Sequence, residues 1–179
     1  NQKEIVEDIG RFIDIPDRFL SEATCKFYGV RCIVRGGGIA QHIYPYHDST
    51  GEMIAQKVRT VEGKSFHWRG PSSTATLFGQ NLFPAKGKFI TICEGEIDAM
   101  SVWQMSGGKS PVVSVKGGAE SALKEIKQQY QYLDSFDNIV ICFDGDAAGT
   151  KAAKKVAEIL PPKKVKVVKM PKDLKDANE

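Results

Sequence analysis

No apolar run in this chain approaches the ~18 residues that would raise a membrane span. The polar opening from Asn1 to Gly10 lacks the apolar stretch of a secretory signal. An initiating Met is also missing, which we read as the mark of a piece of something larger. Cysteine is scarce, with four in 179 residues, so a disulfide scaffold is not expected. Cys93 and Cys142 lie inside apolar runs and read as small buried hydrophobes. Cys25, Cys32, His42 and His47 can be written as a zinc set. Their C-x6-C and H-x4-H spacing does not suit the common modules, whose cysteines sit closer together. The expectation is reduced thiols, a cytoplasmic setting and no zinc.

What charge there is lies unevenly. All six Arg and all three His fall at or before Arg69. From Arg31 to Arg69, six Lys/Arg face three acids, which makes this stretch locally basic. From Lys88 onward, 14 Lys nearly balance 13 acids. A net charge of +3 is too small to mark a nucleic-acid binder by itself, so local sign carries more information than the total.

The later half has a clear rhythm. Short runs rich in β-branched residues at 89–93, 111–115, 138–143 and 164–168 read as strands. Between them, Ile97, Met100 and Trp103 suggest a short helix. Ala119, Leu123, Ile126, Tyr130 and Leu133 form a helical stripe, and so do Ala148, Ala152, Val156 and Ile159 before Pro161-Pro162. The order β-α-β-α-β-α-β predicts a four-stranded, mostly parallel sheet with flanking helices. Residues 1–86 differ. A helix is expected over Arg18–Tyr28. Four short strands broken by Gly36-Gly-Gly38, Ser49-Thr-Gly51 and Glu62-Gly63 should then form hairpins. The expectation is α/β overall: a smaller α+β subdomain (1–86) for template and nucleotide binding, then a catalytic subdomain (87–179).

Ligands of an open parallel sheet collect outside the carboxyl ends of its strands. Glu94 follows the first strand of the later half, and Asp144 and Asp146 follow the third. In extended chain, residues two apart point to the same side, so the Asp-x-Asp pair can face one ion. Bare carboxylates would repel one another. Mg²⁺ relieves that repulsion, takes oxygen ligands and keeps waters that phosphates can replace. The other reading is equally concrete: a solvated strand end, with Asp146 capping the next helix.

Ile92-Cys-Glu-Gly-Glu-Ile-Asp98 followed by Phe143-Asp-Gly-Asp-Ala-Ala-Gly149 resembles the toprim domain of primases, topoisomerases and some nucleases. Gln56-Lys-Val-Arg59, Leu77-Phe-Gly79, the Ser114–Ala122 loop and Lys175-Asp-Ala-Asn-Glu179 extend the likeness. From about Tyr44 onward the chain resembles the primase half of bifunctional phage primase-helicases of the T7 type. The resemblance implies an Mg²⁺-dependent (or Mn²⁺-dependent) DNA primase that copies single-stranded DNA from ribonucleoside triphosphates. Glu94 would be the toprim glutamate, acting as acid, base or metal ligand. Asp144 and Asp146 would hold metal, with Asp176 a further acid nearby. Lys57 and Lys64, supported by Arg59, would contact nucleotide or primer phosphates, and Lys116 is a weaker match for that role. The family's zinc-binding and helicase domains would be fused partners. Neither a C-x-x-C nor a G-x-x-x-x-G-K-[ST] occurs here.

The basic stretch carrying Arg31, Arg35 and Arg69 is read as a template-binding face. Trp68, Phe66, Tyr44 and Tyr46 are its possible stacking partners. Each also has a plain reading, a solvated strand face for the cations and core for the aromatics. Two other functions fit part of the pattern: a toprim nuclease, and a non-catalytic single-strand-binding region of a replicative helicase.

Overall fold

The computed structural model describes residues 7–179, and the chain divides into two compact units, Asn1–Leu82 and Phe83–Glu179.

In the first unit, α1 spans Glu22–Tyr28, shorter than the sequence pattern suggested. Pro16 opens a separate turn of 3-10 helix, Pro16–Arg18, and Phe19 then adopts a left-handed conformation that ends it. The true helix start is Ser21, whose side chain accepts the Thr24 N–H at 3.2 Å. Four strands follow: β1 (Arg31–Arg35), β2 (Gly38–His47), β3 (Met53–Thr60) and β4 (Phe66–Arg69). They form an antiparallel sheet in the order β1-β2-β3-β4. Gly36 and Gly37 both have positive φ, as a two-residue hairpin turn requires, so this glycine run is a turn. At the next turn Asp48 accepts the N–H groups of Thr50 and Glu52.

Tyr44 and Tyr46 lie in the core, each 1% exposed. Both rings meet Phe78, which also stacks on Tyr28 at 5.3 Å. They are therefore packing residues and cannot be stacking partners for a bound strand. The four residues of the zinc-set reading are not gathered into a metal site among the described residues. Burial pushes the Cys25 and Cys32 thiols up to about 12 and about 11. His42, lowered to about 4 by burial and then by Arg59 and Arg18, shares a hydrogen bond with the Tyr44 hydroxyl at 3.0 Å.

The second unit contains β5 (Gly87–Cys93), α2 (Glu96–Met105), β6 (Val112–Ser114), α3 (Ala119–Gln128), α4 (Tyr130–Asp134), β7 (Phe136–Cys142), α5 (Ala147–Ile159) and β8 (Val165–Val167). All four strands are parallel, in the order β6-β5-β7-β8. The single stripe expected over Ala119–Leu133 is broken at Gln129 into two helices. The second buries Leu133 and sends the Tyr132 hydroxyl to the Phe83 carbonyl at 3.0 Å. α5 stops where Pro161 holds Leu160 extended. β5 and β7 are central. The chain leaves β5 toward β6 on one side and returns to β7 on the other. Their carboxyl ends therefore flank the point where the strand order reverses, the place where such sheets bind ligands.

Candidate active site at the carboxyl ends of two parallel strands

Register explains why two acids 50 residues apart meet. Cys93 and Cys142 are direct partners across β5 and β7, so the chain leaves both strands side by side. Glu94 accepts the Asp144 backbone N–H and the Ala119 N–H, each at 3.2 Å. The glutamate thus ties the end of β5 to the end of β7 and the start of α3. Burial pushes its carboxyl above the usual range, while those two N–H groups oppose the rise. Gly149, in the first turn of α5, closes this corner. A Cβ there would come within 2.8 Å of the Glu94 carboxylate.

Asp146 caps α5, accepting the Gly149 N–H at 2.8 Å, so the capping reading of this residue holds. Asp144 and Asp146 both line a cleft of about 1070 Å³, together with Lys154, Lys169, Lys172 and Lys175. Glu94 is not among the residues that line that cleft, and it reaches Asp144 through the Asp144 backbone N–H. Asp144 is raised to about 6, first by burial and then by the charges of Glu94, Asp176 and Asp146, with Lys175 opposing. Asp176 accepts the N–H groups of Asn178 and Glu179 at 3.0 and 3.2 Å. The closing segment is fastened from two sides. The Gly145 N–H donates to the Lys175 carbonyl at 2.7 Å, and the Asn178 side chain donates to Ser101 of α2 at 2.9 Å.

One acid escaped the sequence reading. Asp98 is raised to about 7, by burial first and then by Asp176, Asp144 and Glu94. It belongs to the same electrostatic cluster. The available signal was its place one helical turn after Glu94, in the first turn of α2.

Burial is the first cause of these shifts and the neighbouring carboxylates add to it, a crowding of negative charge that a cation would relieve. The donors are carboxylate oxygens, suited to a hard ion. Among the described residues no three of them form a ready-made cage.

Lys116 sits on a loop held by Glu125. The buried Glu125 carboxylate accepts the N–H groups of Lys116 at 2.7 Å and Gly117 at 3.1 Å, and the Ser121 hydroxyl at 2.5 Å. Burial lowers the Lys116 ammonium, with Glu125 opposing and Lys124 adding to the shift.

The cations of the first unit sort by sheet face. Lys57 pairs with Trp68 and Arg59 with Phe66 across β3 and β4, so these four share one face. Lys57 Nζ lies 4.8 Å from the Phe66 ring centroid and the Arg59 guanidinium 5.9 Å. Lys64 joins Arg59, Arg18, Asp17 and His42 around a small cavity of about 200 Å³. Arg31 and Arg69 belong to the opposite face. Arg31 is paired with Asp8 at 3.2 Å and lies over the Phe12 ring. Arg69 donates to Gln56 and, at 3.3 Å, to the Glu7 carbonyl. Arg35, exposed, ends β1 beside the glycine turn. The expected basic face is thus two groups on two faces.

Family comparisons agree with this architecture. A family model described as Toprim-like matches residues 91–179. Another, described as the N-terminal a+b fold of bacteriophage T7 DNA helicase/primase, matches residues 10–70. The chain is 38% identical to the DNA helicase/primase of Enterobacteria phage T3 over 95% of its own length and 29% of that protein. It thus spans under a third of that relative. Its structure matches the crystal structure of the primase fragment of the bacteriophage T7 primase-helicase with a TM-score of 0.85 and 38% identity. That match covers 94% of this chain and 69% of the fragment. It also matches a chain, 84% covered, in the structure of the bacteriophage T7 lagging-strand DNA polymerase with primase domains of two gp4 subunits bound to an RNA/DNA hybrid and dTTP. There the TM-score is 0.84 at 38% identity over 94% of this chain. Two adjoining family matches and near-complete coverage by a primase fragment assign the chain to the toprim primases of the T7 type of phage primase-helicases, and it belongs to that family.

Proposed function

We propose that this chain is the RNA-polymerising part of a phage primase-helicase. It makes short RNA primers from ribonucleoside triphosphates on single-stranded DNA, in the cytoplasm of the infected cell. The observation that carries the reading is the set of acids at the switch point of a parallel sheet. Glu94, Asp98, Asp144 and Asp176 come from two strand ends, the first turn of α2 and the closing segment, and they perturb one another. Asp144 and Asp146, with Glu94 and Asp176 nearby, are the residues that would hold Mg²⁺. Mn²⁺ is expected to substitute, and no zinc is expected in this part of the protein. Bound there, the ion would neutralise triphosphate charge and stabilise the attacking and leaving oxygens.

The chain's own groups have definable tasks. Glu94 is fixed by two backbone N–H donors and has a carboxyl raised by burial, and its position fits it to take a proton from an attacking hydroxyl or to support a ligand. Lys57, Arg59 and Lys64 supply cationic contacts to nucleotide or primer phosphates, with Lys116 a further candidate. Arg35 and Trp68 remain candidates for template contact. Arg31 and Arg69 are already engaged within the first unit and contribute mainly to its shape. A helicase ring and a zinc-binding domain are the fused partners proposed for the full-length protein.

The test is direct: incubate the protein with Mg²⁺, the four ribonucleoside triphosphates and a single-stranded template. Short RNA is expected. Cleavage of the DNA without use of ribonucleotides would replace this reading with a toprim nuclease.

A further inference from the structure

Residues 171–179 form no helix or strand, so hydrogen bonds decide where they lie. Within them Asp176, Ala177 and Asn178 are half-buried, while the positions on either side are exposed. What they meet is α2. Asp98 and Ser101 lie three residues apart on that helix and therefore on one face. Ser101 is buried, and its hydroxyl donates to the Ile97 carbonyl at 2.8 Å, one turn back. A hydroxyl has one proton to give. Ser101 can therefore only accept from its next partner, which is the Asn178 side-chain amide at 2.9 Å. This accounting turns Nδ2 of Asn178 toward α2.

The backbone of the same asparagine lies between two acids. The Asn178 N–H donates to Asp176 at 3.0 Å and is hydrogen-bonded to Asp98 as well. Among charged neighbours, Asp176 acts most strongly on Asp98. Their repulsion pushes the closing segment away from α2, and the Ser101–Asn178 bond opposes it.

We propose that Ser101 and Asn178 are positioning residues: the bond between their side chains latches the closing segment to α2 and so holds Asp176 within reach of an ion on Asp144 and Asp146. The inference rests on the primase reading, which supplies the ion. Neither side chain carries a charge, and the Ser101 hydroxyl is committed to Ile97 and Asn178. Their effect passes through Asp176, so it falls on affinity for the ion more than on the rate once the ion is bound. The two ends of one bond act as a unit, so removing both should add nothing to removing one.

The test measures Mn²⁺ uptake at a fixed ATP concentration from the paramagnetic signal of the free ion, against a protein-free control with the same ATP. Wild type, Ser101→Ala, Asn178→Ala and the double variant are compared. Alanine suits a helix and Asn178 is half-buried, so the variants are expected to fold, and thermal unfolding verifies that. Each single variant should weaken Mn²⁺ binding roughly 10-fold, as loss of a partner to a metal-holding carboxylate does. The double variant should be no weaker than either. In RNA synthesis the Mg²⁺ concentration for half-maximal rate should rise by the same factor, with the rate at saturating Mg²⁺ within about threefold of wild type. Hydrogen exchange of the Asn178 amide, followed by NMR, should accelerate in Ser101→Ala. Unchanged Mn²⁺ affinity in both single variants, additive losses in the double variant, or a wild-type protein that takes up no Mn²⁺ would overturn the latch. RNA synthesis alongside any of these results would leave the primase reading standing. Weakened Mn²⁺ binding in both single variants of a protein that makes no RNA would keep the latch and remove the primase reading.

Discussion

The two sheets of this protein place their polar residues by different rules. In the parallel sheet, strand order and register decide. Glu94 and Asp144 each follow a central strand, Cys93 faces Cys142, and the acids meet whatever lies in the 49 residues between them. In the antiparallel sheet, every strand offers residues to two faces, and only pairing tells which share one. Lys57, Arg59, Phe66 and Trp68 line one face, while Arg31 and Arg69 line the other and are bound by neighbouring groups. A parallel sheet gathers a site at the ends of its strands, whereas an antiparallel sheet displays one on its surface.

The strongest way to break this comparison is to remove one acid. Asp144→Asn should reduce RNA synthesis by at least about 100-fold, because a ligand for a charge-stabilising ion is lost. Its thermal unfolding should be unchanged or slightly later, since repulsion with Glu94, Asp176 and Asp146 is relieved. Activity within twofold of wild type would separate the acids from the chemistry.

Next in size is the contrast between aromatic rings of the first unit. Tyr44→Ala should cost about 3–5 kcal/mol in denaturant unfolding, as for other buried rings. Phe66→Ala should cost less than about 1 kcal/mol. Equal losses would mean that the exposed face is packing after all.

A third, smaller effect concerns Asp98. Its folded-state carboxyl titrates at about 7 against an ordinary 3.8, so between those values the folded protein holds more protons than the unfolded chain. Stability from this group is therefore greatest at low pH and falls as pH rises toward 7. Asp98→Asn should be more stable than wild type at pH 8, by roughly 1–3 kcal/mol, with the difference gone near pH 4. Urea unfolding at the two pH values measures it, and a pH-independent difference would contradict the shift.

The smallest expected effect separates the two cation groups. Lys57→Gln should lower the slope of log affinity against log salt for single-stranded DNA by about one. Arg69→Gln should leave that slope alone and cost stability of about 1 kcal/mol through its lost bonds to Gln56 and Glu7. Reversed outcomes would exchange the roles of the two faces.

The same contrast explains what was legible before coordinates. Eight strands and the major helices follow from alternation, glycine turns and helical stripes. Glu94, Asp144 and Asp146 could be singled out because strand ends are visible in sequence. Asp98 was harder, because its importance comes from its burial and then from the charge of Asp176, 78 positions away. The N-terminal aromatics were harder still. Tyr44 and Trp68 read alike in sequence, yet one packs on Phe78 and the other lies over Tyr46 with its outer edge free to solvent. The early helix start failed for a local reason, since nothing in Arg18–Leu20 announces the left-handed turn at Phe19.

The most direct measurement is Mn²⁺ binding, followed by the paramagnetic signal of the free ion in the presence of a ribonucleoside triphosphate. The wild-type protein should take up Mn²⁺ with nucleotide, and Asp144→Asn combined with Asp146→Asn should lose that uptake while unfolding at a similar temperature. Undiminished Mn²⁺ uptake by the folded double variant would contradict the account.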